Sequence, residues 1–449
     1  MDSLLFYSTN LKARAVNAKD AILNGLAEDK GLYMPESIPR FAPREFDALR
    51  GKPYAEVAFV VMRKYLAGLI SDDELLRLCR ETYTFDAPIE KLDDQLFLLR
   101  LDRGPTAAFK DFAAQAMGRL INHFLEQDDR RLLILTATSG DTGSAVANAF
   151  HGRDRVKLVV LFPIDEVTER QRKLMTTLGG NVTAVAVDGK FDDCQALVKD
   201  AFVDPDLRNL ELSSANSINF ARLMPQIVYY VYARLQFDSD VNFCVPSGNF
   251  GNLMGGLLGR HMGMPMHRFI VAVNENDEFV SFCTREQYEP IVPSRNCISN
   301  AMNVGHPSNL ARLIALYGGM IDEKGIIRKM PDMSAIRRDM WTTSVTDVDT
   351  KAAIARVYKR YGAIVEPHGA VGVRAWEEYV KATGDTTPTI CLETADPAKF
   401  PETIREVIGI DPPLPDSLSA VLHKPEKMER LPNDYPAFKT FLTTRFGRL

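Results

Sequence analysis

The chain has 449 residues, and 54 Lys and Arg against 59 Asp and Glu give a formal net charge of −5. With 46% hydrophobic and 25% charged residues, the balance is that of an ordinary globular protein, which excludes collagen-like, disordered and disulfide-scaffold chains. A mildly acidic chain also lacks the basic excess of a protein whose main partner is nucleic acid. At roughly 150 residues per domain, the length predicts about two or three domains. The longest apolar runs, such as KLVVLFP at 157–163, fall far short of the roughly 20 residues that span a bilayer. The opening MDSLLFYSTNLKAR has its basic residues after a very short apolar stretch, the reverse of a secretory signal, so no membrane association and a cytoplasmic location are expected. Six cysteines, at 79, 194, 244, 283, 297 and 391, are scattered without a CxxC, and there is no HExxH. No metal site is expected from such spacing. Cys244, within the apolar run VNFCV, is expected in the core as a small hydrophobe.

In chain order, residues 1–95 read as a mainly helical segment. ELLRLC at 74–79 has apolar residues at helical period, and Ser71, Asp72 and Asp73 ahead of it are cap candidates. LFLLRL at 96–101 is a strand candidate, broken by Gly104, Pro105 and Thr106 and followed by a predicted helix over 110–126. Alternation then sets in. Strands are predicted at 131–138, 156–162 and 181–187, and helices at 144–150, 169–178 and 192–202. After a polar interruption at 213–219 it resumes with a helix at 225–235, a strand at 241–246, a helix at 252–263 and strands at 268–274 and 387–394. Continuous apolar strands alternating with helices predict parallel sheets covered on both faces. The organisation expected is therefore an α/β protein with a helical N-terminal segment over 1–95, a first, smaller α/β unit over 96–212 and a second, larger one over 213–449.

Two loops share one context. Thr138-Ser139-Gly140-Asp141-Thr142-Gly143 and Ser247-Gly248-Asn249-Phe250-Gly251-Asn252 each follow a predicted strand and open a helix. Free N–H groups, the helix dipole and small glycines make such junctions anion sites. The plain alternative is a pair of tight turns with no ligand. Neither loop is GxxxxGK[ST] or GxGxxG, and no GxSxG is present, so the usual nucleotide cradles and the nucleophile elbow are missing. Lys110 lies in TAAFKDFAA, apolar apart from Thr106 and Asp111. A desolvated lysine loses basicity and can act as an amine nucleophile; otherwise it snorkels and pairs with Asp111. Set beside two anion-cradling loops, it suggests a cofactor with both a phosphate and an aldehyde, and pyridoxal 5'-phosphate fits. Asn216, Ser217, Asn219 and Arg222 gather small donors and a forked guanidinium ahead of a helix, either as an ordinary helix cap or as a second phosphate or carboxylate site.

GPTAAFKDFAAQ, TATSGDTGSA, NSINFAR, PSGNFGN and TADPAKF, in this order and spacing, resemble the threonine synthase family of fold type II pyridoxal-phosphate enzymes. The likeness extends to NGLAEDKGLYMPE near the N-terminus and AMNVGHPSN past the middle, and so covers nearly the whole chain. The resemblance implies two parallel-sheet α/β domains sharing one cofactor. It implies that Lys110 holds the cofactor and that Gly248, Asn249, Phe250, Gly251 and Asn252 cradle its phosphate. Thr394 would bond the pyridine nitrogen, leaving it less protonated than a carboxylate would, and Asp141 would lie near the ring hydroxyl. Ser139, Gly140, Thr142 and Gly143 would belong to the loop for the substrate carboxylate, and Asn216, Ser217 and Arg222, with Thr142, would grip the substrate phosphate. Three positions depart from the family pattern: Asp396 where TAHPAKF has His, Leu101-Asp102-Arg103 where Leu-Phe-His is common, and Ala107 for a frequent Leu.

The reaction implied is O-phospho-L-homoserine plus water giving L-threonine and phosphate, the last step of threonine biosynthesis, carried out by a monomer or homodimer. A related phospholyase releasing a 2-oxo acid, and a non-catalytic phosphometabolite-binding protein, are the alternatives.

Overall fold

The computed structural model describes residues 4–447. Two sheets dominate. The five-stranded sheet has the order Glu429–Pro432, Val182–Asp188, Val156–Pro163, Leu132–Ala137, Leu212–Ser214, every pair parallel. The six-stranded sheet has the order Met340–Ser344, Phe269–Val273, Asn242–Pro246, Thr389–Glu393, Leu96–Arg100, Ile89–Lys91, parallel except for the last strand at the edge. Along Leu132–Ala137 the side chains divide by turns. Leu132 and Ile134 join one apolar cluster and Leu133 and Leu135 another, the two-faced burial that continuous apolar strands require.

Each sheet has its own outer core. Behind the smaller one, Cys194, Leu197 and Val198 of the helix Phe191–Val203 meet Phe438 and Leu442 of the helix Tyr435–Phe446. Behind the larger one, Ala370, Val371 and Val373 of the helix Pro367–Thr383 pack on Leu98, Cys244 and Cys391. Between the sheets runs a single large cluster joining Phe6 and Tyr54 of the N-terminal portion, Phe112 and Phe124 of the helix Lys110–Asp128, Ile134, Phe243 and Phe269. Cys244 is fully buried, as expected of a core cysteine, and all six cysteines are free.

The expected helices of the N-terminal portion are present at Ala18–Asn24, Tyr54–Leu66 and Asp72–Thr82, and Ser71 caps the last through the Glu74 N–H. That portion also holds a three-stranded antiparallel sheet, Val16–Asn17, Leu5–Ser8 and Tyr33–Pro35, whose strands are too short to show an alternating pattern. The strand distribution also differs from a division at residues 95 and 212. Leu96–Arg100, expected to open the first α/β unit, pairs with Thr389–Glu393 in the six-stranded sheet, and Glu429–Pro432, from the end of the chain, pairs with Val182–Asp188 in the five-stranded one. The chain thus passes between the sheets three times: from Arg100 to Leu132, from Ser214 to Asn242, and from Glu393 to Glu429. No helix among the described residues is long and apolar enough to cross a membrane.

Candidate active site

A cavity of about 450 Å³ opens where strands of both sheets end at their carboxyl ends, the usual place for ligands in parallel α/β sheets. Both glycine-containing loops, Lys110, the 216–222 segment and Thr394 meet there.

Lys110 opens the helix Lys110–Asp128 with only 13% of its side chain exposed, its Nζ 4.9 Å from the centre of the Phe109 ring. Its ionic partner is not its neighbour Asp111. That carboxylate turns away to accept from the Thr106 N–H at 2.8 Å and the Thr106 hydroxyl at 2.7 Å, and so fixes the turn that precedes the helix. Lys110 Nζ instead lies 3.7 Å from Asp141 Oδ2. Burial lowers the basicity of Lys110, Asp141 partly restores it, and the cations of Lys399 and Arg222 lower it again.

Asp141 begins the helix Asp141–Phe150, three residues ahead of the expected start, so the end of the 138–143 loop is the first helical turn. Its Oδ1 is 2.6 Å from the fully buried Lys399 Nζ and accepts from Gln171 Nε2 at 3.0 Å. Burial alone would raise its pKa. The ammonium groups of Lys399 and Lys110 outweigh burial and hold the carboxyl well below the usual range.

The loop around Asp141 sorts its residues into two kinds. Ser139 and Thr142 line the cavity. Gly140 and Gly143 do not: their N–H groups both donate to Thr138 Oγ1, at 2.9 and 2.7 Å, and are not available to a ligand. Each is glycine for packing. A Cβ on Gly140 would meet the Gln171 side chain, and on Gly143 the Met175 sulfur and a Thr138 methyl.

The second loop ends at Phe250, which takes a left-handed conformation with φ of 57° and starts the helix Gly251–His261. The first backbone bond into that helix runs from the Met254 N–H to the Phe250 carbonyl, leaving the N–H groups of Gly251, Asn252 and Leu253 without backbone partners, the arrangement that binds anions. A Cβ on Gly248 would lie 2.8 Å from the Ala301 carbonyl oxygen and 2.8 Å from Met302 Cα. The side chain of Asn252 is drawn away, its Oδ1 accepting from Tyr229 and Tyr230 hydroxyls at 2.6 and 2.7 Å. That of Asn249 ties the loop to its neighbours, donating to Ser217 Oγ at 2.7 Å and accepting from the Ser308 N–H at 2.5 Å.

In the third group, Asn216 donates to the Ala137 carbonyl at 2.7 Å and so fastens the segment to a strand end. Ser217 Oγ accepts from Asn249 and, at 3.3 Å, from Asn309, which leaves its hydroxyl hydrogen free to point into the cavity it lines. Arg222 is buried. One terminal nitrogen donates to the Ala215 carbonyl at 2.9 Å, its Nε has no partner among the described residues, and burial pushes its pKa down to about 10. A guanidinium held dry with a vacant donor is poised for an anion.

Thr394 lies at the remaining wall, its hydroxyl donating to Glu366 Oε1 at 3.0 Å. Asp396, the departure from the family pattern, caps the 397–399 turn by accepting from the Ala398 N–H at 2.8 Å. Burial raises its pKa.

Sequence reasoning missed Lys399, Gln171, Glu366, His368, Asn309 and Arg312. Lys399 stands within the TADPAKF match, and Glu366-Pro367 carries the signature of a helix start. Arg312 had no local signal. It is fully buried beneath the 216–222 segment, donating to the carbonyls of Tyr33, Ser217 and Ile218, and burial pushes its pKa down to about 9.

Comparison with known proteins identifies the family. Residues 76–392 match the family described as pyridoxal-phosphate dependent enzyme, 5–83 match threonine synthase N terminus, and 369–442 match threonine synthase, C-terminal. Threonine synthase of Pseudomonas aeruginosa is 39% identical, with 99% of each chain covered, and that of Escherichia coli is 36% identical over 95% of this chain and 96% of its own. Among solved structures, pyridoxal-phosphate-bound threonine synthase from Brucella melitensis superposes with a TM-score of 0.91 at 36% identity, with 100% of both chains covered. The yeast enzyme gives 0.90 at 29% identity, covering 100% of this chain and 99% of its own. With full-length relatives, three consecutive family matches and the same fold throughout, the chain belongs to the threonine synthase family of pyridoxal-phosphate-dependent enzymes.

Proposed function

We propose that this enzyme converts O-phospho-L-homoserine and water to L-threonine and phosphate, with Lys110 as its catalytic residue. The observation that carries the reading is the Lys110 amine, largely shielded from solvent and paired with Asp141 in a cavity that also holds a helix start with free N–H groups and a dry arginine. The residues fit pyridoxal phosphate. Lys110 would hold the aldehyde. Gly248, Asn249, Phe250, Gly251 and Asn252 would hold the phosphate on backbone N–H groups, and Gly248 lets their loop lie directly against the backbone of Ala301 and Met302. Thr394 faces the ring nitrogen in this reading, and Asp141 the ring hydroxyl.

When bound, pyridoxal phosphate supplies an electron sink for negative charge formed at the substrate α-carbon. The chain supplies the rest. Lys110, its basicity lowered by burial, takes and returns the α-proton as general base and acid. Ser139, with the loop that Gly140 and Gly143 shape, receives the substrate carboxylate. Thr142, Ser217 and Arg222 receive the substrate phosphate, and Asn216 holds their segment in place. A guanidinium with a vacant donor favours the extra charge that appears as phosphate leaves. Binding energy from this remote phosphate orients the carbon chain for proton removal at Lys110. The enzyme acts in this reading as a monomer or a homodimer in the cytoplasm.

Incubation of the cofactor-loaded enzyme with O-phosphohomoserine tests the reading by product analysis. L-threonine and phosphate are expected in equal amounts, with a visible absorbance band that Lys110→Ala abolishes together with turnover. A 2-oxo acid without threonine would assign the chain to phospholyase chemistry. A colourless wild-type protein that binds phosphate compounds without turnover would make it a binding protein.

A further inference from the structure

The wall at Thr394 is built around a carboxylate. Glu366 caps the helix Pro367–Thr383, and each of its oxygens already accepts two bonds. Oε2 accepts from the His368 N–H at 2.7 Å and lies 2.5 Å from His368 Nδ1. Oε1 accepts from the Gly369 N–H at 2.9 Å and from the Thr394 hydroxyl at 3.0 Å. The direction of the histidine bond follows from its other nitrogen: Nε2 lies 3.1 Å from the Ala301 N–H, which can only donate. The imidazole proton therefore sits on Nδ1 and points at Glu366. Four donors converge on four lone-pair sites, and an ionised carboxylate is acceptor-only. The start of a 17-residue helix favours negative charge there.

A second buried acid lies behind. Glu393 Oε1 accepts from the Glu366 N–H at 2.8 Å, and Glu393 Oε2 has no partner among the described residues. Burial, and then the charge on Glu366, raise the pKa of Glu393. In this pair the charge belongs on Glu366, the member with the donors.

The consequence falls on Thr394. A hydroxyl has one proton. With Glu366 taking it, Thr394 Oγ1 offers the cavity lone pairs only. From this geometry we propose that Glu366 is a positioning residue that turns Thr394 into an acceptor, so that the site selects the protonated form of the cofactor's ring nitrogen. This reverses the expectation that a threonine at that position leaves the nitrogen less protonated. It rests on the reading of Thr394 as the partner of the ring nitrogen. A pyridinium draws charge from the α-carbon more strongly than a neutral ring, so Glu366 would tune the electron sink without touching it.

The test is the ¹⁵N resonance of enzyme loaded with pyridoxal phosphate labelled at the ring nitrogen. The pyridinium position is expected for wild type at neutral pH, and the same position for Thr394→Ser, which keeps the hydroxyl. Glu366→Gln, whose amide can donate to Thr394 and release its proton toward the ring, is expected to move the resonance to the neutral-pyridine position. It is also expected to weaken cofactor affinity about tenfold, the loss of one charge-assisted hydrogen bond. A neutral resonance in wild type overturns the proposal whatever the variants do, as does an unchanged resonance in a folded, cofactor-loaded Glu366→Gln. Failure of wild type to take up the cofactor at all would instead remove the functional reading beneath it.

Discussion

Glu278 shows how a single side chain reports its surroundings. It is the first residue of the helix Glu278–Arg285 and is buried, with Oε2 lacking any partner among the described residues. Burial pushes its pKa up to about 8. Between the ordinary carboxyl value and about pH 8, the folded protein therefore holds a proton that the unfolded chain has released. Stability contributed by this group is present at low pH and falls as pH rises through that window, by an amount on the order of a few kcal/mol. Glu278→Gln, which cannot ionise, should flatten the slope and stabilise the protein at about pH 9 while changing little at about pH 5. Urea unfolding at the two pH values checks this. No local pattern marks Glu278 in the sequence, because its burial comes from distant packing. Lys110 was legible because a lysine among alanines and phenylalanines contradicts its own surroundings. Lys399, more deeply buried, was not, since its partner Asp141 is remote in sequence and only the fold brings Nζ to within 2.6 Å of it.

At the scale of elements, the two strand–turn–helix junctions were readable because local chemistry makes them. Glycines, small donors and an apolar run on each side need no tertiary information. The division of labour within them was not readable. Gly140 and Gly143 bond to Thr138, while Gly248 stands against the backbone of Ala301 and Met302. Gly248→Ala must push that backbone or the loop aside, a strain of about 1–3 kcal/mol for an overpacked site. The expected result is cofactor affinity lowered about tenfold or more with secondary structure unchanged, read by absorbance titration alongside circular dichroism. The strands Met340–Ser344 and Glu429–Pro432 escaped sequence reading for another reason. MWTTS and ERLP sit at sheet edges with mixed burial, so neither carries the continuous apolar run of a strand covered on both faces. The positions of the inner strands were legible for that same reason.

At the scale of the whole molecule, parallel α/β architecture followed from alternation, but the allocation of strands to sheets did not. Leu96–Arg100 reads as a buried strand wherever it is placed, and only its pairing with Thr389–Glu393 assigns it to the larger sheet. That allocation makes the chain pass three times between the sheets. Each passage carries residues of the site: Lys110 on the first, Asn216, Ser217 and Arg222 on the second, Thr394 and Lys399 on the third. Sequence order is thus no guide to where the molecule can be divided. A cut in the exposed turn at Asp238 to Asp240 would leave one piece with four strands of the smaller sheet and two of the larger, and the other piece with the remainder. Neither piece owns a finished core, and each exposes unpaired strand edges. Residues 1–238 and 239–449, produced apart, should each lack a cooperative unfolding transition; mixed, they should restore the visible absorbance of the bound cofactor. A piece that unfolds cooperatively alone would refute this. The two sheets would then be separable bodies, whereas an interlaced chain requires that whatever assembles one sheet assembles the other in the same event.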